Sequence, residues 1–83
     1  MQVRRLSAVR DPLPILAANV RRLRDEHGMS QEALALRADM DPAEVRRIEA
    51  CRRDPGVRVV ARLAVALGTT SAELLSGIPA AED

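Results

Sequence analysis

Apart from a single histidine, every basic side chain in this sequence is an arginine. The planar guanidinium group donates two hydrogen bonds at once, which suits a phosphate group or the O6 and N7 edge of guanine. Two adjacent pairs, Arg46-Arg47 and Arg52-Arg53, lie close together in the chain. Residues 1–71 contain thirteen arginines and nine acidic residues, a net charge of +4, whereas the whole chain carries only +1. A solvated, salt-bridged surface would have the same composition, so charge alone does not decide between the two interpretations.

The composition argues against several other kinds of chemistry. Phe, Tyr and Trp are absent, whereas modules that bind single-stranded nucleic acid stack bases on aromatic rings. No acidic pair accompanies a glycine loop, a nucleophile or a metal-ligand set, and His27 is the only histidine. We therefore expect an aliphatic core, no enzymatic activity, and neither a metal nor a cofactor.

Cys51 is the single cysteine, which excludes an internal disulfide and suits a reducing cytoplasm. The arginines beside it leave a redox-sensing role open, but an ordinary structural cysteine is the favoured interpretation. No apolar run approaches the ~20 residues of a membrane span, and the first ten residues lack the apolar stretch of a signal peptide. The sequence therefore predicts a cytoplasmic, nucleoid-associated protein.

Capping residues and glycines indicate where five predicted helices begin and end. These helices determine where the arginines lie. Asp11-Pro12 and Asp41-Pro42 each combine a helix cap with a proline in the first turn. Asp41 and Thr70 are each followed three residues later by glutamate, the pattern of a capping box. The predicted helices span residues 12–27, 31 to 37 or 38, 42–50, 57–67 and 71–76. We expect an N-terminal arm (1–11), a helical domain (12–78) and a C-terminal tail (79–83).

The second and third helices are joined by a predicted three-residue turn, Ala38-Asp39-Met40, and so form a helix-turn-helix unit. The second helix of such a unit can enter the major groove of DNA. At about 100° per residue, Val45 and Ile48 define the buried side of the third helix. The opposite side then carries Ala43, Arg46, Arg47 and Ala50, with Glu44 on its flank.

Residues 13–76 resemble the lambda-repressor/Cro-like DNA-binding domain. The matching residues are Ser30-Gln31-Glu32-x-Leu34-Ala35, Ile48-Glu49, Pro55 and Leu63-Ala64-x-x-Leu67-Gly68. The resemblance implies an all-α fold, a compact five-helix domain that binds double-stranded DNA through its second and third helices.

The resemblance also implies roles for individual residues. Gln31 would contact the DNA backbone and brace the recognition helix. Arg24 and Glu49 would form a structural ion pair between the first and third helices. Arg52 and Arg53 would lie along phosphates, in the loop that follows the recognition helix.

Base reading is expected from the exposed side of the third helix. Arg46 or Arg47 would donate two hydrogen bonds to guanine. Ala43 would contact a thymine methyl group, and Glu44 would accept a hydrogen bond from cytosine N4. These residues predict a sequence-specific transcriptional regulator, a repressor or autoregulator. A restriction–modification controller and the antitoxin of a toxin–antitoxin pair fit that class equally well.

The sequence departs from the family pattern around the recognition helix. Asp39 and Cys51 stand where the family customarily has glycine, and Asp41 and Glu44 bring acidic groups to the start of that helix. Because these acids would face phosphates, they favour the alternative function. In that alternative the chain is a protein-interaction module, such as an antitoxin or adaptor, with weak or no DNA reading.

One recognition helix reads few base pairs, so we expect a homodimer on a palindromic operator with half-sites one helical turn apart. Apolar residues near the C-terminus exceed what a small core needs. The predicted dimer patch consists of Val59, Val65, Leu75 and Ile78.

The first ten residues allow three interpretations. Arg4, Arg5 and Arg10 could form an arm that reaches the minor groove. A disordered tail is the favoured interpretation, and the apolar residues of this segment leave open a third, in which it packs against the domain or a partner.

Overall fold

Five helices follow one another in residues 11–80, the part of the chain that the computed structural model describes. They are α1 (Pro12–Glu26), α2 (Gln31–Ala38), α3 (Pro42–Glu49), α4 (Val57–Ala66) and α5 (Ser71–Leu74). Residues 11–80 contain no strand, and the predicted all-α, five-helix fold is confirmed. The predicted arginine arm within residues 1–10, and residues 81–83 of the tail, lie outside the described residues.

Four of the helices end one or two residues earlier than the sequence predicts. The residue after each of these helices has φ between −96° and −91° and ψ between 2° and 8°. This conformation lies outside the α region, so the hydrogen-bonded turn closes without extending the helix. The residues concerned are His27, Ala50, Leu67 and Leu75.

Side-chain caps begin every helix except α4, which follows Gly56 without one. Each cap accepts a hydrogen bond from a backbone N–H of the first turn, at 2.8 to 3.0 Å. Such a cap contributes about 1 kcal/mol to helix stability. The capping residues are Asp11, Ser30, Asp41 and Thr70.

The capping box predicted at the start of α3 is wrong in both halves, because the N–H of Glu44 bonds to the carbonyl of Asp41 and not to its side chain. Asp41 does cap the helix, accepting from the N–H of Ala43 at 2.8 Å. The Glu44 carboxylate does not return to the backbone of Asp41, because it accepts from Arg47 and pairs with Arg53 instead. Two guanidinium groups are stronger donors to a carboxylate than one neutral N–H, so the side chain turns outward.

The core beneath the helices is aliphatic, as the composition predicts. Val45 and Ile48 point inward from α3 and are almost completely buried. Helix α3 packs against α1 and α2, α4 packs against α2, and the short α5 closes against α4 and α1. The largest fully buried side chains are Val20, Leu34, Val45, Ile48, Leu63, Leu67 and Leu74. Helix α3 is therefore held in place by α1 and α2, which pack against its buried side.

The turn between α2 and α3 comprises residues 39–41, one residue later than predicted, because Ala38 still belongs to α2 and is buried. Asp39 adopts the left-handed conformation with φ of 57°, which aspartate tolerates better than most residues. The N–H of Met40 then reaches back to the carbonyl of Ala35 at 2.9 Å. Met40 packs partly against the core, which anchors the turn.

Candidate nucleic-acid interface

A buried ionic cluster lies where α1, α2 and α3 meet. Glu49 is the last residue of α3, and its side chain is only 1% exposed. Arg24 of α1 donates to both carboxylate oxygens, from Nε to Oε2 at 2.8 Å and from Nη2 to Oε1 at 3.0 Å. Gln31 donates to Oε1 at 3.0 Å, and Arg21 donates to the same oxygen at 3.4 Å. One carboxylate thus ties the end of the recognition helix to the two preceding helices.

The charges of this cluster stabilise one another. Burial would raise the pKa of Glu49, but hydrogen bonds from Arg24, Gln31 and Arg21, together with the charge of Arg24, lower it overall. The hydrogen bond to Glu49 likewise raises the pKa of Arg24, against the opposing effect of burial. Both groups are therefore ionised at neutral pH. Arg24 also donates to the carbonyl of Met29 at 2.9 Å, which holds the connection between α1 and α2.

The exposed face of α3 lies opposite this core. Ala43, Arg46, Arg47 and Ala50, with Arg52 from the following loop, line a shallow depression in the surface. The side chains of Arg46 and Arg47 are 53% and 54% exposed. The depression therefore combines three guanidinium groups and two methyl groups, which can donate to base edges and contact a thymine methyl group.

Acidic side chains hold three of the arginines around this face. Glu44 Oε1 accepts from Arg47 Nη1 at 2.9 Å, and Glu44 Oε2 lies 3.3 Å from Arg53 Nε. On the other side, Arg46 Nη1 lies 3.5 Å from Glu32 Oε2 of α2. Sequence reasoning missed these pairs, although the spacing of Glu44 and Arg47, three residues apart on a helix, is a signal that could have predicted one of them.

Comparison with known proteins identifies the family. A family model described as a helix-turn-helix domain matches residues 15–76. The chain belongs to the helix-turn-helix domain family. The predicted resemblance to lambda-repressor/Cro-like domains is thereby confirmed, and α2 and α3 are the two helices of this unit. No curated protein matches the sequence.

Solved structures share the helix-turn-helix fold. The restriction–modification controller protein C.AhdI from Aeromonas hydrophila is 32% identical, with a TM-score of 0.73 over 75% of this chain and 94% of that one. A hypothetical transcription factor, NHTF from Neisseria, is 31% identical, with a TM-score of 0.75 over 81% of this chain and 80% of that one. The clp gene regulator ClgR from C. glutamicum is 24% identical, with a TM-score of 0.73 over 80% and 86%, and shows similarity of fold alone.

The residues of the predicted dimer patch differ in exposure within this helix-turn-helix domain. Val65 is 79% exposed and Leu75 is 39% exposed. Val59 and Ile78 are only partly exposed, because they pack against the core. Sequence periodicity did not single out two further exposed side chains, Leu36 and Val57.

Other candidate sites of the domain are sparse. Residues 11–80 contain no group of three or more His, Cys, Asp or Glu side chains placed to hold a metal ion. Cys51 is a free, partly buried thiol in a left-handed conformation, with φ of 61°. No helix in the described part of the chain is long and apolar enough to cross a bilayer.

Proposed function

We propose that this helix-turn-helix protein binds double-stranded DNA sequence-specifically as a transcriptional regulator. The observation that carries the proposal is the exposed face of α3, where Arg46, Arg47 and Ala43 line a shallow depression. An α-helix that presents two arginines and a methyl group has the groups that read guanine and thymine in the major groove.

The buried cluster supports this function because it fixes the angle between the two helices of the unit. Base reading requires side chains to be placed to within about 0.5 Å. Glu49 receives hydrogen bonds from α1 and from the first residue of α2, so α3 cannot tilt without breaking them. We therefore assign Arg24 and Glu49 a positioning role.

Phosphate contacts are assigned to Gln31, Arg52 and Arg53. Gln31 is the first residue of α2, and Arg52 and Arg53 follow α3 and are exposed. Contacts to phosphate fix the register of a protein on the duplex, while base contacts provide the specificity. In this assignment Ala43, Glu44, Arg46 and Arg47 read bases.

The finer regulatory role is part of the same proposal. We infer a homodimer that occupies a palindromic operator and represses transcription, including that of its own gene. Similarity to the restriction–modification controller protein C.AhdI favours a controller role within this class. A dimer places two recognition helices one helical turn apart on the same face of the DNA.

Selection of bound duplexes from a randomised pool tests the proposal. The purified full chain is mixed with the pool at low salt, and the retained DNA is sequenced over several rounds. We expect enrichment of a palindrome whose half-sites are centred about 10 base pairs apart. Failure to enrich any sequence would contradict the proposal.

A protein-interaction module is the second candidate function. The acids Glu32 and Glu44 beside the recognition face, and the exposed Leu36 and Val65, favour it. It predicts that the chain binds a protein partner and retains no duplex from the pool. The same selection therefore separates the two functions.

A further inference from the structure

The carboxylate of Glu44 is paired with two arginines that the proposed function requires for DNA binding. Its Oε1 atom accepts from Arg47 Nη1 at 2.9 Å, while its Oε2 atom lies 3.3 Å from Arg53 Nε. Its side chain is only 21% exposed, whereas those of Arg47 and Arg53 are 54% and 52% exposed. The carboxylate therefore lies between the recognition face and the loop that follows it, with both oxygens engaged.

This arrangement sets a condition on DNA binding. While the pairs last, Arg47 Nη1 and Arg53 Nε face Glu44 rather than DNA. The carboxylate thus sets the direction of each guanidinium group and offsets its charge. Once they leave, the carboxylate lies beside phosphates without a cationic partner, which is unfavourable unless another group donates a hydrogen bond to it. In the major groove the amino group of cytosine is such a donor.

We propose that Glu44 is a specificity-determining residue that restrains Arg47 and Arg53 on DNA of the wrong sequence. At the operator, cytosine N4 donates to Glu44, Arg47 moves to guanine and Arg53 moves to phosphate. On other sequences Arg47 and Arg53 stay paired with Glu44, so fewer guanidinium groups contact the DNA. The inference rests on the proposed function and deepens it, because it gives the acidic residue a role in rejecting non-operator DNA.

The same geometry allows the carboxylate to be neutralised without unfolding the domain. Arg47 and Arg53 are half-exposed, so their ion pairs with Glu44 contribute little to stability. The cap of α3 is provided by Asp41 rather than by Glu44. Glu44→Gln keeps the size of the side chain and removes its charge. Glu73→Gln is the matched control, since Glu73 is also the third residue of a helix that begins with a side-chain cap.

The experiment measures binding of wild type, Glu44→Gln and Glu73→Gln to the selected operator and to a scrambled duplex, over a range of salt concentrations. We expect Glu44→Gln to bind the scrambled duplex at least about tenfold more tightly, because one to two more arginines of each protomer reach phosphates. The slope of log affinity against log salt should steepen by about 2 to 4 for the dimer. Operator affinity stays the same or falls, so discrimination drops by about tenfold or more. Glu73→Gln should match wild type.

A second substitution tests whether the tighter binding of Glu44→Gln to the scrambled duplex depends on the release of Arg53. In the Arg53→Ala background, Glu44→Gln should tighten binding to the scrambled duplex by a smaller factor than in wild type, with a smaller change of slope. An equal gain in both backgrounds would show that Glu44 merely repels phosphates and would overturn the proposal. Thermal unfolding of each variant confirms that the fold is retained.

Other results separate this inference from the proposed function. If wild type discriminates operator from scrambled DNA, but Glu44→Gln discriminates equally well or behaves like Glu73→Gln, the function stands and the role of Glu44 is wrong. If wild type binds no duplex but Glu44→Gln binds, the proposed function of the wild-type chain fails, and so does the release of Arg47 and Arg53 at an operator. If neither binds any duplex, the proposed function fails and the inference fails with it.

Discussion

Glu49 differs from every other acidic residue in residues 11–80, because it alone is buried. Its neighbours in the fold compensate for the loss of water with donors from Arg24, Gln31 and Arg21. Glu44, by contrast, is held at the surface by two arginines. The first acid positions the recognition helix, and the second lies where that helix would meet DNA.

Glu49→Gln should lower the free energy of unfolding by about 3 kcal/mol, because it leaves the Arg24 guanidinium, only 14% exposed, without its anion. Urea denaturation measures the change. Glu26→Gln is the control: Glu26 pairs with Arg22 at 3.5 Å between half-exposed side chains, so its loss should cost at most about 0.5 kcal/mol. Equal effects of the two substitutions would contradict a positioning role for the cluster.

The same residue predicts a pH dependence. The pKa of Glu49 is lower in the folded protein than in the unfolded chain, so its charge contributes stability above the ordinary glutamate pKa of about 4.3. That contribution is lost as the pH falls through the folded-state pKa. The difference in stability between wild type and Glu49→Gln should therefore be largest near neutral pH and shrink below about pH 4. A difference that does not change with pH would contradict this assignment.

Arg47 and Arg52 line the same depression but have different proposed roles. Arg47→Ala should cost about 1–3 kcal/mol on the operator and relax the preference at one base pair. Arg52→Ala should weaken binding on all sequences and reduce the salt slope by about 1.8, because the dimer loses one phosphate contact from each protomer. Fluorescence anisotropy with operator variants measures both, with Arg58→Ala on α4 as the control. Uniform weakening by Arg47→Ala would place Arg47 on phosphate instead.

At the scale of helices, the sequence predicts where elements begin better than where they end. Asp11, Ser30, Asp41 and Thr70 begin their helices as predicted, because a cap acts through neighbouring residues. The helix ends depend on how the final turn closes, and four of the five helices end one or two residues before the predicted position. Local chemistry therefore predicts the helices, and tertiary packing sets their limits.

Asn19 connects two elements far apart in the sequence. Its Nδ2 group donates to the carbonyls of Leu74 and Ser76, at 2.8 and 2.9 Å, and so fixes the end of α5 against α1. Asn19→Ala should reduce stability by about 1–2 kcal/mol and speed amide hydrogen exchange in α5 more than in α3. Asn19→Asp, which has no donor, should have a similar effect. Unchanged exchange in α5 would contradict this contact.

At the scale of the whole molecule, some features of the candidate interface follow from the sequence and others do not. The outward face of α3 follows from the helical period and from Val45 and Ile48 on the buried side. The pairing of Glu44 with Arg53 does not follow, because it depends on the path of the loop after α3. Periodicity alone also did not distinguish Val59, which packs partly against the core, from the exposed Val65.

Assembly is proposed to depend on the exposed part of the dimer patch. Val65→Lys should convert a dimer into the 9.0 kDa monomer, with at least about a tenfold rise in the dimer dissociation constant, because it places a charge in an apolar contact. Val57→Lys is the control, since Val57 is 85% exposed on the same helix but outside the patch. Sedimentation equilibrium measures both. Dissociation by Val57→Lys alone would move the interface to the other end of α4.

The central claim is that this domain reads double-stranded DNA, and the salt dependence of binding to selected and scrambled duplexes tests it most directly. Arg52 and Arg53 from two protomers provide at least four phosphate contacts, so affinity should fall about a hundredfold between 50 and 200 mM salt. At each salt concentration the selected duplex should bind at least about 10³-fold more tightly than the scrambled one. Equal affinity for the two duplexes, or no measurable binding at the lower salt concentration, would contradict the account.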